Sequence, residues 1–273
     1  MEPQTFLYTI SEEQRKSFNE SGFLVLKDLL TEEEKVNMVA WVKEISELPP
    51  TKGKWMQYYE DNLVTKEKQL CRTENFTPFH DGIRSIIKGE KLMGTLAQLI
   101  GQPVLLFKEK INYKQAGGGG FPAHQDAPAY VQLGQAHHIT AMLAANDSTV
   151  ANGCLFVVPG SHNPAVILPQ KESDGSITDE WCDQHQWTPV ECQVGDVLIF
   201  GSYIAHRSGS NNTNSSRNAV YLTYNAECDG DKRDLYYDEK RRLFPPASDR
   251  EEGKDYSIGA KTYNLATPIS NVQ

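Results

Sequence analysis

Gly195-Asp196-Val197-Leu198-Ile199-Phe200 sets how the rest of the chain is read. Four consecutive apolar residues behind a Gly-Asp turn make a short strand that is buried on both faces. Similar runs recur on either side: Val104-Leu105-Leu106-Phe107, Ile139 to Ala145, Cys154-Leu155-Phe156-Val157-Val158 and Ala219-Val220-Tyr221-Leu222-Thr223-Tyr224. Gly, Pro, Asn and Asp separate them. Many short strands with such turns predict a mainly β chain, an antiparallel sandwich or jelly roll core over about 103–226. The chain shows no Rossmann fingerprint, P-loop or internal repeat.

Before that core the pattern is helical. Ser11-Glu12-Glu13-Gln14 is a capping box that opens a helix ending near Gly22, and Phe23-Leu24-Val25-Leu26 is a short strand. Thr31-Glu32-Glu33-Glu34 caps a second helix with Met38, Trp41, Val42 and Ile45 on one face, stopped by Pro49-Pro50. Lys52 to Phe79 reads as a long polar and aromatic loop, and so as a candidate substrate lid. A helix is expected from roughly Ser85 to Ile100, with Gly101 as its C-terminal stop. Asp174 to Gln186 looks like an insertion between strands, and Asp231 to Leu243 like an amphipathic helix. The chain is therefore expected to be one domain over 1–273. It would have a helical cover over about 1–100, flanking α-helices on the β core, and a tail from 227.

Composition narrows the function. The net charge of -9 argues against non-specific nucleic-acid binding, which needs a basic footprint. No apolar run is long enough for a membrane span, and the first residues carry no secretory pattern. Five scattered cysteines without a C-x-x-C read as free thiols, so a cytoplasmic location is expected. The expected partner is a small-molecule substrate.

The chemistry lies in Ala123-His124-Gln125-Asp126, after Gly117-Gly118-Gly119-Gly120. In an extended segment His124 and Asp126 project to the same side. Imidazole nitrogen with carboxylate oxygen suits a borderline metal such as Fe(II). His206, soon after the buried strand ending at Phe200, is the candidate third ligand. Two His and one Asp form a facial triad with open positions, as in non-haem Fe(II) oxygenases. An H-x-D alone recurs often by chance, so the accompanying residues decide. Arg217, eleven residues past His206, opens the strand to Asn225 and could hold a distal carboxylate bidentately. That is what 2-oxoglutarate requires: its keto acid end chelates the metal, its C5 carboxylate needs a cation, and one position remains for O2.

With these residues in place, the chain resembles the phytanoyl-CoA dioxygenase family of Fe(II)/2-oxoglutarate oxygenases. Asn152-Gly153-Cys154-Leu155, Val158-Pro159-Gly160-Ser161-His162 and Gly195-Asp196-Val197-Leu198 are similarly family-like. The resemblance implies a double-stranded β-helix, a form of jelly roll, with helices packed outside. It implies His124, Asp126 and His206 as iron ligands and Arg217 as the C5-carboxylate anchor, with Ser208 and Gln125 in the cofactor region. Leu70 to Phe76, Lys108 to Lys114 and His124 to Tyr130 are most similar to the bacterial 2-aminoethylphosphonate and 2-(trimethylammonio)ethylphosphonate dioxygenases. The implied reaction is hydroxylation, at the carbon next to phosphorus, of a small ammonium-bearing phosphonate, with release of succinate and CO2. Arg72 or Lys108 would take the phosphonate, and Tyr58, Tyr59 or Tyr130 the ammonium.

Competing readings are plainer. His162 suits a turn better than a metal, and of His137-His138 at most one points inward. The glycine run lacks the Lys-Ser/Thr helix start of a phosphate loop and reads as a close backbone approach or a flexible lip. Arg72 could equally be an ion-pair partner of Glu74. A halogenase is disfavoured because Asp126 fills the position chloride would need. A metal-free binding module, or the same oxygenase chemistry on a carboxylated betaine, an acyl thioester or a secondary metabolite, remain the alternatives.

Overall fold

The computed structural model describes residues 6–130, 138–264 and 267–269. Its larger sheet has seven antiparallel strands in the order β1 (Phe23–Leu26), β9 (Val197–Gly201), β6 (His138–Ala144), β11 (Arg217–Ala226), β4 (Val104–Lys114), β3 (Lys68–Glu74) and β2 (Met56–Asp61). A four-stranded sheet faces it in the order β5 (Phe121–His124), β10 (His206–Ser208), β7 (Leu155–Val157) and β8 (Thr188–Val190).

The apolar runs are continuous because both faces of the central strands are covered. On β6, Ile139, Ala141 and Leu143 join the core beneath the helices, while Met142 and Ala144 join the core between the two sheets. On β9, Val197 and Ile199 take the first side, and Leu198 and Phe200 the second. Period-2 alternation between two apolar layers leaves few polar positions to mark the face, Thr140 on β6 being one. The jelly-roll expectation holds, with helices on the outside.

Helix α1 (Glu12–Ser21) and helix α2 (Glu32–Ser46) both begin with the expected capping boxes, from Ser11 and Thr31. The single helix expected over Ser85–Ile100 is instead two, α3 (Asp81–Ile87) and α4 (Glu90–Ile100). Gly89 is the break. It is extended, at φ -71 and ψ 141, and a Cβ there would stand 2.5 Å from the Ser85 carbonyl oxygen.

The expected loop over Lys52–Phe79 is overturned. It forms β2 and β3, which extend the large sheet beyond β4. The strands escaped sequence reading because much of their buried surface is polar. Gln57, Glu60, Arg72, Thr73 and Glu74 are all buried there. The tail supplies the cover that was expected from that loop. Helix α6 (Arg233–Leu243) and helix α7 (Ser257–Tyr263) pack across β2–β4, with Phe244 stacked on Tyr58 at 5.4 Å. The expected insertion lies between β7 and β8 and contains helix α5 (Asp179–Asp183). The glycine run is not a loose lip. A Cβ at Gly120 would lie 2.6 Å from the Ser208 carbonyl oxygen, and the Gly119 N–H donates to buried Glu60. Among the described residues, no helix is long and apolar enough to cross a membrane.

Candidate active site

Strand pairing assembles the triad. His206 on β10 is the register partner of His124 at the end of β5, which sets their rings 4.1 Å apart between centroids. Asp126 follows two residues later, in a helical turn conformation rather than in the strand, and its Oδ1 is 3.9 Å from His124 Nε2. One ligand atom from each of the three lies within 4.8 Å of the others.

The imidazoles are held for ligation. His124 Nδ1 is 2.7 Å from the Pro122 carbonyl oxygen and His206 Nδ1 is 3.1 Å from that of Ile204. A carbonyl can only accept, so each Nδ1 carries the proton and each Nε2 keeps its lone pair for a metal. Burial, together with the neighbouring His206, pushes His124 down to about 3, and burial also lowers His206. For Asp126, burial alone would raise the carboxyl. His206, Lys110 and Lys108 outweigh it, and the group sits below its ordinary value. Two neutral imidazoles and one carboxylate, each aimed at one point, are a fitting donor set for Fe(II).

Beyond the triad, β4 and β11 carry a polar ladder. Lys108 pairs with Thr223, Lys110 with Tyr221, Asn112 with Ala219, and Lys114 with Arg217. Lys108, Lys110, Asn112 and Lys114 share a face by period 2. Arg217 is almost fully buried. Its guanidinium donates to the Gly153 carbonyl, and its Nε has no hydrogen-bond partner among the described residues. Lys114 Nζ donates to Ser208 Oγ at 2.8 Å and to the Gly153 carbonyl at 3.3 Å. Burial, and Arg217 beside it, pull Lys114 down to about 6. Neither cation has an ion-pair partner among the described residues. A buried guanidinium with an N–H left over, beside a buried amine that a carboxylate would protonate, calls for an anion between them. The C5 end of 2-oxoglutarate fits that description.

On the other side of the triad a cavity is lined by Arg72, Glu74, Lys108, Lys110, Tyr130 and, from the tail, Lys240. Tyr236 and Tyr263 complete that tail wall. Glu74 accepts from Lys240 at 2.6 Å and lies 3.5 Å from Arg72. Burial would raise its carboxyl, but Lys240 and Arg72 hold it down to about 2. Arg72 is thus both an ion-pair partner of Glu74 and a cavity residue.

Several expected positions fall elsewhere. Gln125 reaches the cavity edge, yet its amide nitrogen donates to the Tyr203 and Val166 carbonyls and its oxygen accepts from Leu168 N–H. It clamps loops, and its hydrogen-bonding groups are not free for a cofactor. Tyr58 donates its hydroxyl to the Phe244 carbonyl at 2.8 Å beneath the tail. Tyr59, its half-buried neighbour on β2, is likewise outside the cavity lining. His162 hydrogen-bonds the Asn19 carbonyl, a structural role, and His137 lies outside the described residues while His138 is packed against Phe107 and Tyr130. Sequence reading missed Lys114, Lys240, Tyr236, Tyr263 and the part of Glu74. The alternation in Lys108 to Lys114 was a usable signal for Lys114; the tail residues left none.

A jelly roll with a partly buried His-Asp-His cluster, and basic side chains suited to a carboxylate beyond it, has the features of the non-haem iron oxygenases. Residues 18–219 match the phytanoyl-CoA dioxygenase (PhyH) family, and the chain belongs to it. It is a 2-oxoglutarate-dependent dioxygenase. It is 40% identical over 259 residues to a 2-aminoethylphosphonate dioxygenase of uncultured bacterium HF130_AEPn_1, covering 95% of this chain and 98% of that one. It is 42% identical over 236 residues to a methylphosphonate hydroxylase of Gimesia maris, covering 86% and 88%. Among solved structures it shares its fold with EctD from S. alaskensis. The form with 2-oxoglutarate and 5-hydroxyectoine gives a TM-score of 0.70 at 20% identity, over 82% of this chain and 80% of that one. The form with bound Fe gives 0.65 at 20% identity, over 82% and 81%. These relatives set aside the reading as a non-catalytic binding module.

Proposed function

We propose that the chain hydroxylates a small phosphonate at the carbon next to phosphorus, using Fe(II), 2-oxoglutarate and O2. His124, Asp126 and His206 would hold the metal. Arg217, Lys114 and Ser208 would hold the C5 carboxylate. Bound iron with 2-oxoglutarate would supply the oxidation: one atom of O2 enters the substrate C–H bond, the other enters succinate, and CO2 leaves.

The observation that carries the substrate class is the charge of the cavity. Arg72, Lys108, Lys110 and Lys240 all line it, against Glu74 as the one carboxylate besides Asp126 among the described lining residues. Neither Lys108 nor Lys110 has an ion-pair partner among the described residues. Such a wall suits a compact dianion, and a phosphonate presents one with three acceptor oxygens. Both curated relatives above carry phosphonate names. The ammonium-bearing substrate is the reading that the sequence motifs favour, whereas methylphosphonate lacks the ammonium; the cavity wall bears on which fits.

The chain's own residues do three things in this scheme. The Nδ1 bonds fix both imidazoles, the basic wall orients the phosphonate so that its carbon faces the triad, and the tail helices exclude water. Because the cavity draws on β3, the jelly-roll strands and the tail, residues 1–273 would work as one domain. The free thiols suit a reducing cytosol. The test is substrate-dependent succinate formation across phosphonates and carboxylated betaines, with the product read by phosphorus NMR. A 1-hydroxyphosphonate is expected. Turnover of a betaine with no phosphonate product would overturn the substrate class and leave the oxygenase intact.

A further inference from the structure

The aromatic wall of the cavity looks at first like an ammonium cage, since Tyr130, Tyr236 and Tyr263 all face in. Lysines of the protein already stand against these rings. Lys108 Nζ stands 4.6 Å from the Tyr130 ring centroid and 5.7 Å from that of Tyr236. Lys240 Nζ stands 5.8 Å from Tyr236 and 5.6 Å from Tyr263. With the protein's own ammonium already standing against each ring, a ligand's ammonium brought to the same wall meets a like charge. The carboxylate alternative is closed as well. One Glu74 oxygen pairs with Lys240 and the other with Arg72, so a substrate amine would have to displace a buried ion pair.

We propose that the lysines on these rings, Lys108 and Lys240, make the enzyme selective for phosphonates whose carbon substituent is short and uncharged, and that ammonium-bearing phosphonates are disfavoured. This rests on the phosphonate reading above. A phosphonate dianion offsets the surplus of cations over Glu74, whereas an ammonium group adds to it. Near Asp126 the lining includes the uncharged, apolar side chains of Phe121, Pro128 and Ala129. A methyl or ethyl substituent can rest there without desolvating a charge. The lysine against each ring and the Glu74 ion pairs together argue against an ammonium seat of either kind in this cavity.

The experiment compares kcat/KM of the iron- and 2-oxoglutarate-loaded enzyme for four compounds. These are methylphosphonate, ethylphosphonate, 2-aminoethylphosphonate and 2-(trimethylammonio)ethylphosphonate, each followed by phosphorus NMR. Methyl- or ethylphosphonate should exceed both ammonium compounds by at least about tenfold. An ammonium compound that matches or beats them overturns this inference and leaves the phosphonate reading standing. If none of the four yields a 1-hydroxyphosphonate, both fall together. The second arm is Lys240→Met, which frees one Glu74 oxygen and the Tyr263 face. Its ratio of trimethylammonio to methyl substrate should rise by about fivefold or more, whatever the absolute rate. An unchanged ratio removes Lys240 from the argument, and the wild-type panel decides the rest even if that variant fails to fold.

Discussion

The two sides of the triad, the proposed cofactor end and the proposed substrate end, are built differently. At the cofactor end, Lys114, Arg217 and Ser208 come from jelly-roll strands, and backbone register alone sets Lys114 opposite Arg217. At the substrate end, Arg72 and Glu74 come from an added strand and Lys240, Tyr236 and Tyr263 from tail helices. In the proposed scheme the first end would meet the same ligand whatever the substrate, and it is built from the scaffold itself. The second end is made by segments attached to that scaffold, and specificity can change there without disturbing the cofactor seat.

The contrast can be broken first at the triad between the two ends. Asp126→Ala should remove the anionic ligand, weaken iron binding and lower turnover by on the order of 10³ or more. Metal content and succinate release check it, and full iron occupancy with normal rate would reject the assignment.

At the cofactor end, Arg217→Met should cost about 3–5 kcal/mol of 2-oxoglutarate affinity, roughly 10²–10⁴-fold, with iron still bound. Titration with 2-oxoglutarate under anaerobic conditions measures this. An unchanged affinity would move the anchor elsewhere. Arg207, whose guanidinium stacks on Trp187 at 4.2 Å, is engaged on the opposite side of β10.

Lys114 sharpens the same end with a pH signature. Free, it sits near 6 through burial and Arg217; a bound carboxylate would raise it. Between those two values binding takes up a proton, so affinity falls as pH rises through that window. Calorimetry at pH 7.5 in buffers of different ionisation enthalpy should show the uptake. Lys114→Met should abolish it and weaken binding by about tenfold. Buffer-independent heats in the wild type would exclude the mechanism.

The smallest effect is expected under the tail. Tyr58→Phe removes one buried hydroxyl bond to the Phe244 carbonyl. Stability should drop by about 1 kcal/mol, with kcat/KM within about twofold. A large loss of activity with little loss of stability would restore Tyr58 to the substrate site.

These experiments follow the line between what was legible in the chain and what was not. The jelly-roll core could be read because its strands bury apolar residues on both faces, and that leaves a pattern of runs and turns. His124, Asp126, His206 and Arg217 could be read because each stands at a fixed offset from such a strand. The strands β2 and β3 could not, since their buried side chains include Gln57, Glu60, Arg72, Thr73 and Glu74, and local polarity imitates a loop. Gln125 reads as a cofactor residue because its adjacency to two candidate ligands is visible in sequence, whereas its bonds to Tyr203 and Leu168 are not.

By itself, then, the sequence determined the jelly-roll core and singled out His124, Asp126, His206 and Arg217 as candidates, all through short-range periodicity and offsets from the strands. Only the tertiary structure decided the substrate end. Lys240 meets Glu74 across 166 residues of chain, and Lys108 faces Tyr236 only because α6 folds back over β4. Whether a tyrosine face is open to a ligand or closed by a lysine is a matter of distance in space, and no spacing along the chain encodes it.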